Sequence, residues 1–209
     1  MQDWLPLFPL QVVLLPEAEL PLHIFEDRYK EMIQDVLRDK VEFGVVMASE
    51  KGIVNTGCTA TLEKVLHQYP DGRMDILTIG RRRFEISRIN DDRAYLRGEV
   101  EFFDDDEAPA AAPEARRQAI EGYNELQAMT AGVPLPAFEA AEPRLSFRLA
   151  RPVTDLSLRQ ALLVARSEAE RIRQLAAFLP AYVARQRQIQ HVKQTAPRNG
   201  HGHKLPGLQ

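Results

Sequence analysis

The hydrophobic period of this chain changes once, and the change is abrupt. Up to about Phe103 the apolar residues fall in short runs or alternate with polar ones, the period of two that places every second side chain on one face of a strand. Beyond Glu114 they recur every three or four residues, as on one face of a helix. Between the two regimes stand Asp104, Asp105, Asp106 and Glu107, followed by the small-residue stretch APAAAP at 108–113. That composition marks a boundary. The chain is therefore expected to be α+β, with a mainly antiparallel sheet or small barrel first and a helical region after it.

Within the first region, prolines 6, 9, 16 and 21 fence the apolar run at 11–15, which is too short and too β-branched for a helix and predicts a strand. From Ile24 the spacing of Phe25, Tyr29, Met32, Ile33, Val36 and Leu37 predicts an amphipathic helix of about four turns inserted early among the strands. Further strands are predicted at 43–47, 58–69, 74–79, 83–89 and 94–103. Pro70-Asp71-Gly72-Arg73 supplies a tight reversal, and Gly80 separates two of the strands. The helical region predicts elements at 114–130, 144–150, 156–165 and 168–178, and a last one from Pro180 to about 194. Asp155 and Ser167 stand where N-caps belong. Residues 195–209 carry little apolar content and are expected to form a disordered tail.

Composition narrows the chemistry. One cysteine, Cys58, in 209 residues excludes an intrachain disulfide and a thiolate-rich zinc site, and it reads as a small buried hydrophobe. No run approaches the ~18–20 apolar residues that span a bilayer, and the opening MQDWLPLF has neither a basic leader nor an apolar signal core. A reducing cytoplasm, with no membrane association, is the expected home. The phosphate-cradling Gly-rich motifs, the Gly-x-Ser-x-Gly elbow and His-Glu-x-x-His are all missing, so no catalytic residue, cofactor or metal is expected. His191, His201 and His203 read as tail residues rather than a metal site, and His67 as an exposed strand residue.

The formal net charge of −3 hides an asymmetry. Residues 1–143 hold 15 Lys and Arg against 27 Asp and Glu, a net of −12, whereas residues 144–209 hold 12 against 3, a net of +9. The halves are expected to attract across a shared cleft. The densest basic cluster, Arg81-Arg82-Arg83, lies on a strand that would split it between faces.

Several stretches together resemble the N-terminal domain of Lon proteases in a stand-alone bacterial form. They are LPLFPLQVVLLPEAELPLHIFEDRYKEMI at the start, FGVV at 43–46, GCTATLEKVLHQYPDGRMDILTIGRRRFEI from Gly57, and LSLRQALLVARSEAERIRQLAAFL from Leu156. The similarity covers about residues 4–180. It implies a PUA-like pseudobarrel of about six mainly antiparallel strands with an inserted helix over 4–107, followed by an all-helical region over 114–194. In complete Lon proteases such a domain helps recognise unfolded polypeptide, while an ATPase and a Ser-Lys protease domain do the work. Neither of those is expected within these 209 residues.

The resemblance thus implies a non-enzymatic module, monomeric or dimeric, that binds unfolded polypeptide or another protein in a groove between barrel and helices. Its candidate contact residues are His23, Phe25, Arg28, Tyr29 and Arg83; exposed apolar groups beside an arginine suit a peptide. Pro16, Pro21, Glu26, Gly80 and Phe84 are assigned to maintaining the fold. The alternative is an RNA-binding PUA-like module using the basic helical region, against which the acidic barrel half argues by repulsion.

Overall fold

The computed structural model describes residues 4–50, 52–130 and 144–195. Six strands, β1 (Leu5–Leu10), β2 (Glu19–Ile24), β3 (Phe43–Ser49), β4 (Gly52–Gln68), β5 (Met74–Asn90) and β6 (Arg97–Phe103), lie in the order β2-β5-β4-β3-β1-β6. Every pairing is antiparallel except β1 with β3. The 17-residue β5 closes the structure. Its first half pairs with β2 and its second half with β6, so β5-β4-β3-β1-β6 return on themselves as a barrel with β2 as a flap. Inside, the fully buried Phe84 ring, packed with Leu7 and Val46, comes so close to Gly44 and Gly57 that a Cβ on either would stand 2.6 or 2.5 Å from it.

The first strand is not the one read from the sequence. The run at 11–15 is irregular, and β1 occupies LPLFPL, including Pro6 and Pro9. Strand nitrogens alternate sides, and Leu7 N donates to Leu96 O across the β6 side. Pro6 precedes the ladder with β3, which begins at Leu7 and Gly44, and Pro9 faces the β6 side after that pairing has ended. Neither proline therefore removes a ladder hydrogen bond. The inserted helix, α1 (Asp27–Asp39), buries Tyr29, Met32, Ile33 and Val36 and ends at Lys40 in the left-handed conformation. Phe25 and Leu37, counted by spacing in its apolar stripe, are 58% and 43% exposed.

Gly80 was expected to separate two strands, yet β5 runs through it without a break. The glycine serves a close approach. The 15–18 loop crosses β5 there, with Glu17 N donating to Gly80 O (2.8 Å) and Gly80 N to Ala18 O (2.9 Å). A Cβ would stand 2.2 Å from Leu15 O.

The helical region comprises α2 (Pro113–Thr130), α3 (Leu145–Leu149), α4 (Leu156–Val164) and α5 (Glu168–Thr195). Asp155 caps α4 through Leu158 N at 2.8 Å, and Ser167 accepts from Glu170 N at 3.2 Å. The two helices expected on either side of Pro180 are one helix of 28 residues. An internal proline costs about 3 kcal/mol, and the packing around it offsets that loss. Leu179, Tyr182 and Val183 are buried, Gly122 of α2 lies directly against Leu179, and Tyr182 Oη binds Thr154. The 195–209 tail, past Thr195 itself, lies outside the described residues, as do His201 and His203.

Barrel and helices share one apolar cluster, from Ile33 and Phe43 through Leu149 and Leu162 to Leu175. A polar knot sits at its edge. Arg171, fully buried, donates from Nη1 to Asp105 (2.6 Å), from Nη2 to Glu168 (2.8 Å) and from Nε to Ser146 Oγ (2.8 Å). Arg83, 5% exposed, donates to the same Asp105 (2.6 Å) and to the carbonyls of Leu163 (3.3 Å) and Ala165 (2.6 Å). Glu168 in turn accepts from the nitrogen and hydroxyl of Ser146. Looser pairs across the charge asymmetry join Arg166 to Glu85, Arg144 to Asp104 and Arg187 to Glu125. The halves do meet through opposite charges, but most of the joint is packed.

Burial alone would raise the Asp105 carboxyl; Arg171 and then Arg83 outweigh it and hold the group below its ordinary range. A carboxyl depressed on folding contributes stability that is present above its unfolded pKa of about 3.9 and lost as pH falls through the folded value. Asp105→Ala should therefore destabilise the protein by about 3 kcal/mol at neutral pH, leaving the buried Arg83 without a carboxylate and Arg171 with Glu168 alone. The deficit should shrink below about pH 4 in urea titrations. Gly80→Ala should cost about 3 kcal/mol by forcing the 15–18 loop off β5, read as a lower denaturation midpoint.

Candidate functional site

An open groove of about 960 Å³ lies at the mouth of the barrel, between the end of α1, the start of β1 and β6, whose Val100 side chain also packs on the Leu7, Val46 and Phe84 cluster inside. Trp4, Leu5, Val41, Val100 and Phe102 give it an apolar lining. Val41 follows the left-handed turn that ends α1, and Phe102, near the end of β6, pairs with Phe84 of β5; each of Val41 and Phe102 is 45% exposed. Large apolar groups left open in a concavity are the feature that most distinguishes a ligand site from ordinary surface.

Polar groups set the walls. The Arg82 guanidinium lies 3.8 Å over the Phe102 ring and binds Glu42, so it is held flat rather than sweeping through solvent. On the opposite side Asp35 accepts from Tyr95 Oη (2.7 Å) and Arg93 (2.8 Å) and pairs with Arg38 (2.7 Å). The Tyr95 hydrogen bond, followed by Arg38, holds the Asp35 carboxyl below its usual range against the pull of burial. This arrangement has fixed charges, aromatic faces and an open apolar floor. It can bind an extended segment, and among its described lining residues no nucleophile is paired with a base.

The structure brings four of the five sequence-predicted contact residues together elsewhere, where β2 hands over to α1. The His23 and Phe25 rings stack at 5.9 Å, and His23 Nδ1 lies 2.6 Å from Asp75, which also accepts from Tyr69 Oη at 2.9 Å. These hydrogen bonds, His23 first, lower the Asp75 carboxyl. Arg28 pairs with Glu26 (2.7 Å), a local link between exposed neighbours, and sits 4.6 Å over the Tyr29 ring. Tyr29 itself is 7% exposed and packs on Phe8. Arg83 is apart from all of these, inside the joint. Among the residues assigned to the fold, Pro21 pairs with Leu77 on the flap strand, and Pro16 is buried beside Arg81, Arg82 and Arg83.

Sequence reading missed Trp4, Val41, Arg82 and Phe102 as a group, because they converge from four separate segments. The one local signal was Phe102 at the end of an alternating strand. Cys58 is fully buried, and burial pushes its thiol up to about 12, so it is inert at neutral pH. Among the described residues no cluster of His, Cys, Asp or Glu is arranged to hold a metal, and no helix is long and apolar enough to cross a membrane.

Comparison with known proteins assigns the fold to a family. The Lon protease of Parabacteroides distasonis is 30% identical over 112 residues, a stretch covering 49% of this chain and 14% of that protein, so the chain spans a small part of its curated relative. The crystal structure of a Lon N-terminal domain protein from Xanthomonas campestris matches with a TM-score of 0.68 at 29% identity, covering 85% of this chain and 99% of that one. The N-terminal domain of Mycobacterium avium complex Lon protease shares the fold, with a TM-score of 0.58 at 18% identity over 85% of this chain and 98% of its own. Residues 4–188 match the family described as the ATP-dependent protease La (LON) substrate-binding domain. By fold and by sequence, then, the chain belongs to the LON substrate-binding domain family.

Proposed function

We propose that this substrate-binding domain takes extended or partly unfolded polypeptide into the groove between Trp4 and Phe102, and that it acts as a binding module without ATPase or protease activity. The observation that carries this reading is the open apolar floor walled by immobilised charges. Apolar side chains of a ligand would be removed from water against Val41, Val100 and Phe102, while its backbone would meet only those donors of Arg82 that Glu42 does not occupy. The relatives named for Lon protease and its N-terminal domain support the same direction. The His23 and Phe25 patch, exposed beside Arg28, is a secondary contact surface in this reading. A cytoplasmic setting suits a chain whose one thiol is buried and unpaired.

RNA is disfavoured by charge. Arg82 and Arg93, the two groove arginines closest to the aromatic and acidic walls, are each engaged by a carboxylate, Glu42 and Asp35, leaving few cations to displace counterions from a phosphate backbone.

Trp4 is the single tryptophan of the chain and lines the groove, so it reports on occupancy directly. Titration with unfolded peptides rich in aromatic and aliphatic residues should shift its emission and saturate in the micromolar range. Phe102→Ala should weaken binding about tenfold, as for an aromatic anchor. A folded protein whose Trp4 emission stays constant, and whose affinity for every such peptide is weaker than millimolar, would overturn the proposal.

A further inference from the structure

A second concavity adjoins the groove. It occupies about 320 Å³ at the joint between barrel and helices, where Arg81, Arg82, Arg83 and Arg144 surround a floor formed by Pro16 and Phe147, with Asp104 and Asp105 at its margin. We propose that this pocket binds a carboxylate of the polypeptide held in the groove. The inference rests on the polypeptide reading above and adds to it the chemical class of ligand that is preferred.

Four guanidiniums lining one small space would repel each other unless carboxylates matched them, so each partner needs accounting. Asp105 is spent on the buried pair Arg83 and Arg171, and Arg82 is spent on Glu42. Arg81 and Arg144 are different. Arg81 donates from Nε to the Thr61 hydroxyl (2.9 Å), and its nearest carboxylate, Glu63, is 3.9 Å away, beyond hydrogen-bonding distance. Arg144 has Asp104 at 3.5 Å, an ion pair with no hydrogen bond, and the Asp104 side chain is 89% exposed. A guanidinium carries five N–H donors in a planar fork matched to a carboxylate. Among the described residues, the Thr61 hydroxyl is the side-chain hydrogen-bond partner of Arg81 and none is found for Arg144, and both side chains are half-exposed.

The surroundings strengthen such a contact. The buried Pro16 and the Phe147 ring, 3% exposed, replace water on one side of the pocket, which raises the strength of a charge-assisted hydrogen bond above its value on open surface. Arg83 lines the pocket and Arg171 lies behind it, both over the Phe147 ring, and Asp105 and Glu168 balance their charge, so the free positive character of the pocket comes from Arg81 and Arg144. Finally, Arg82 lines both concavities. A chain whose apolar side chain rests on Phe102 needs only to pass the edge of the Arg82 guanidinium for the next residues to reach the pocket. The carboxylate is either an acidic side chain or the free end of the polypeptide.

One apolar peptide, made in matched versions, tests this with Trp4 emission as the readout: a free or amidated C-terminus, and an internal Glu or Gln. At least one carboxylate version should bind about tenfold tighter than its neutral counterpart; which one identifies the source of the charge. The advantage should vanish in the Arg81→Gln/Arg144→Gln variant, whose exposed positions leave the thermal midpoint unchanged, and should fall as salt rises. In parallel, titration of the wild-type protein with N-acetylglutamate should shift the Nε–Hε resonances of Arg81 and Arg144. If the peptides bind but acid and neutral versions are equal, the pocket proposal is overturned while the groove reading stands. If no peptide binds yet N-acetylglutamate moves both arginine resonances, the pocket is supported and the groove reading falls. Tighter binding of a short RNA than of every carboxylate peptide would overturn the assignment of the ligand.

Discussion

Asp105 accepts from two guanidiniums that water does not reach, and the arrangement of the helical region follows from that contact. Arg171 projects from the first turn of α5, Arg83 from the middle of β5, and the carboxylate comes from the strand-to-helix boundary between them. Through Arg83 the C-terminal end of α4 is fixed by the carbonyls of Leu163 and Ala165, and through Glu168 the start of α3 is fixed by Ser146. Burial of two arginines is expensive, and apolar residues in their place would be at least as stable. What the charges supply is position. The shared apolar cluster holds the halves together with little directional preference, whereas a bidentate fork accepts one geometry.

That division explains which features were legible in the sequence. Periodicity located α1, β3, β6, α2, α3 and α4 because each depends on its own pattern of burial. Local punctuation was read too literally. Gly80 and Pro180 both look like breaks, and both lie inside continuous elements, since one admits the 15–18 loop and the other is braced by α2 and Tyr182. Prolines 6 and 9 were read as fencing a strand at 11–15, yet they lie within β1, where their nitrogens face directions that carry no ladder. Asp105 was legible only as one of four acids in a boundary, because its partners are 22 and 66 residues away. The family resemblance carried the barrel as a whole, a conclusion that no single run of residues contains.

The three consecutive arginines show how a strand distributes one kind of charge among several tasks. Arg83 points inward and becomes part of the joint. Arg82 lies along Phe102 at the groove, and Arg81 remains at the mouth of the neighbouring pocket. Alternation anticipated a split between faces; the family resemblance placed Arg83 among the contact residues, and the structure buries it. The separation of roles arises from β5 pairing on both flanks while the 15–18 loop crosses it, so three adjacent residues meet three environments.

The position of β1 governs the order in which the molecule can be assembled. It lies between β3, 37 residues later in register, and β6, which begins at Arg97. Its parallel partner leaves one flank open until β6 arrives, and β6 can close the barrel only by also reaching the second half of β5. Contacts so distant in sequence make folding slow, on the order of milliseconds to seconds for sheet-dominated topologies. During synthesis Leu7 therefore stays without its enclosure until β6 has emerged. A domain that belongs to a substrate-binding family thus passes through a stage in which it is itself an extended apolar segment.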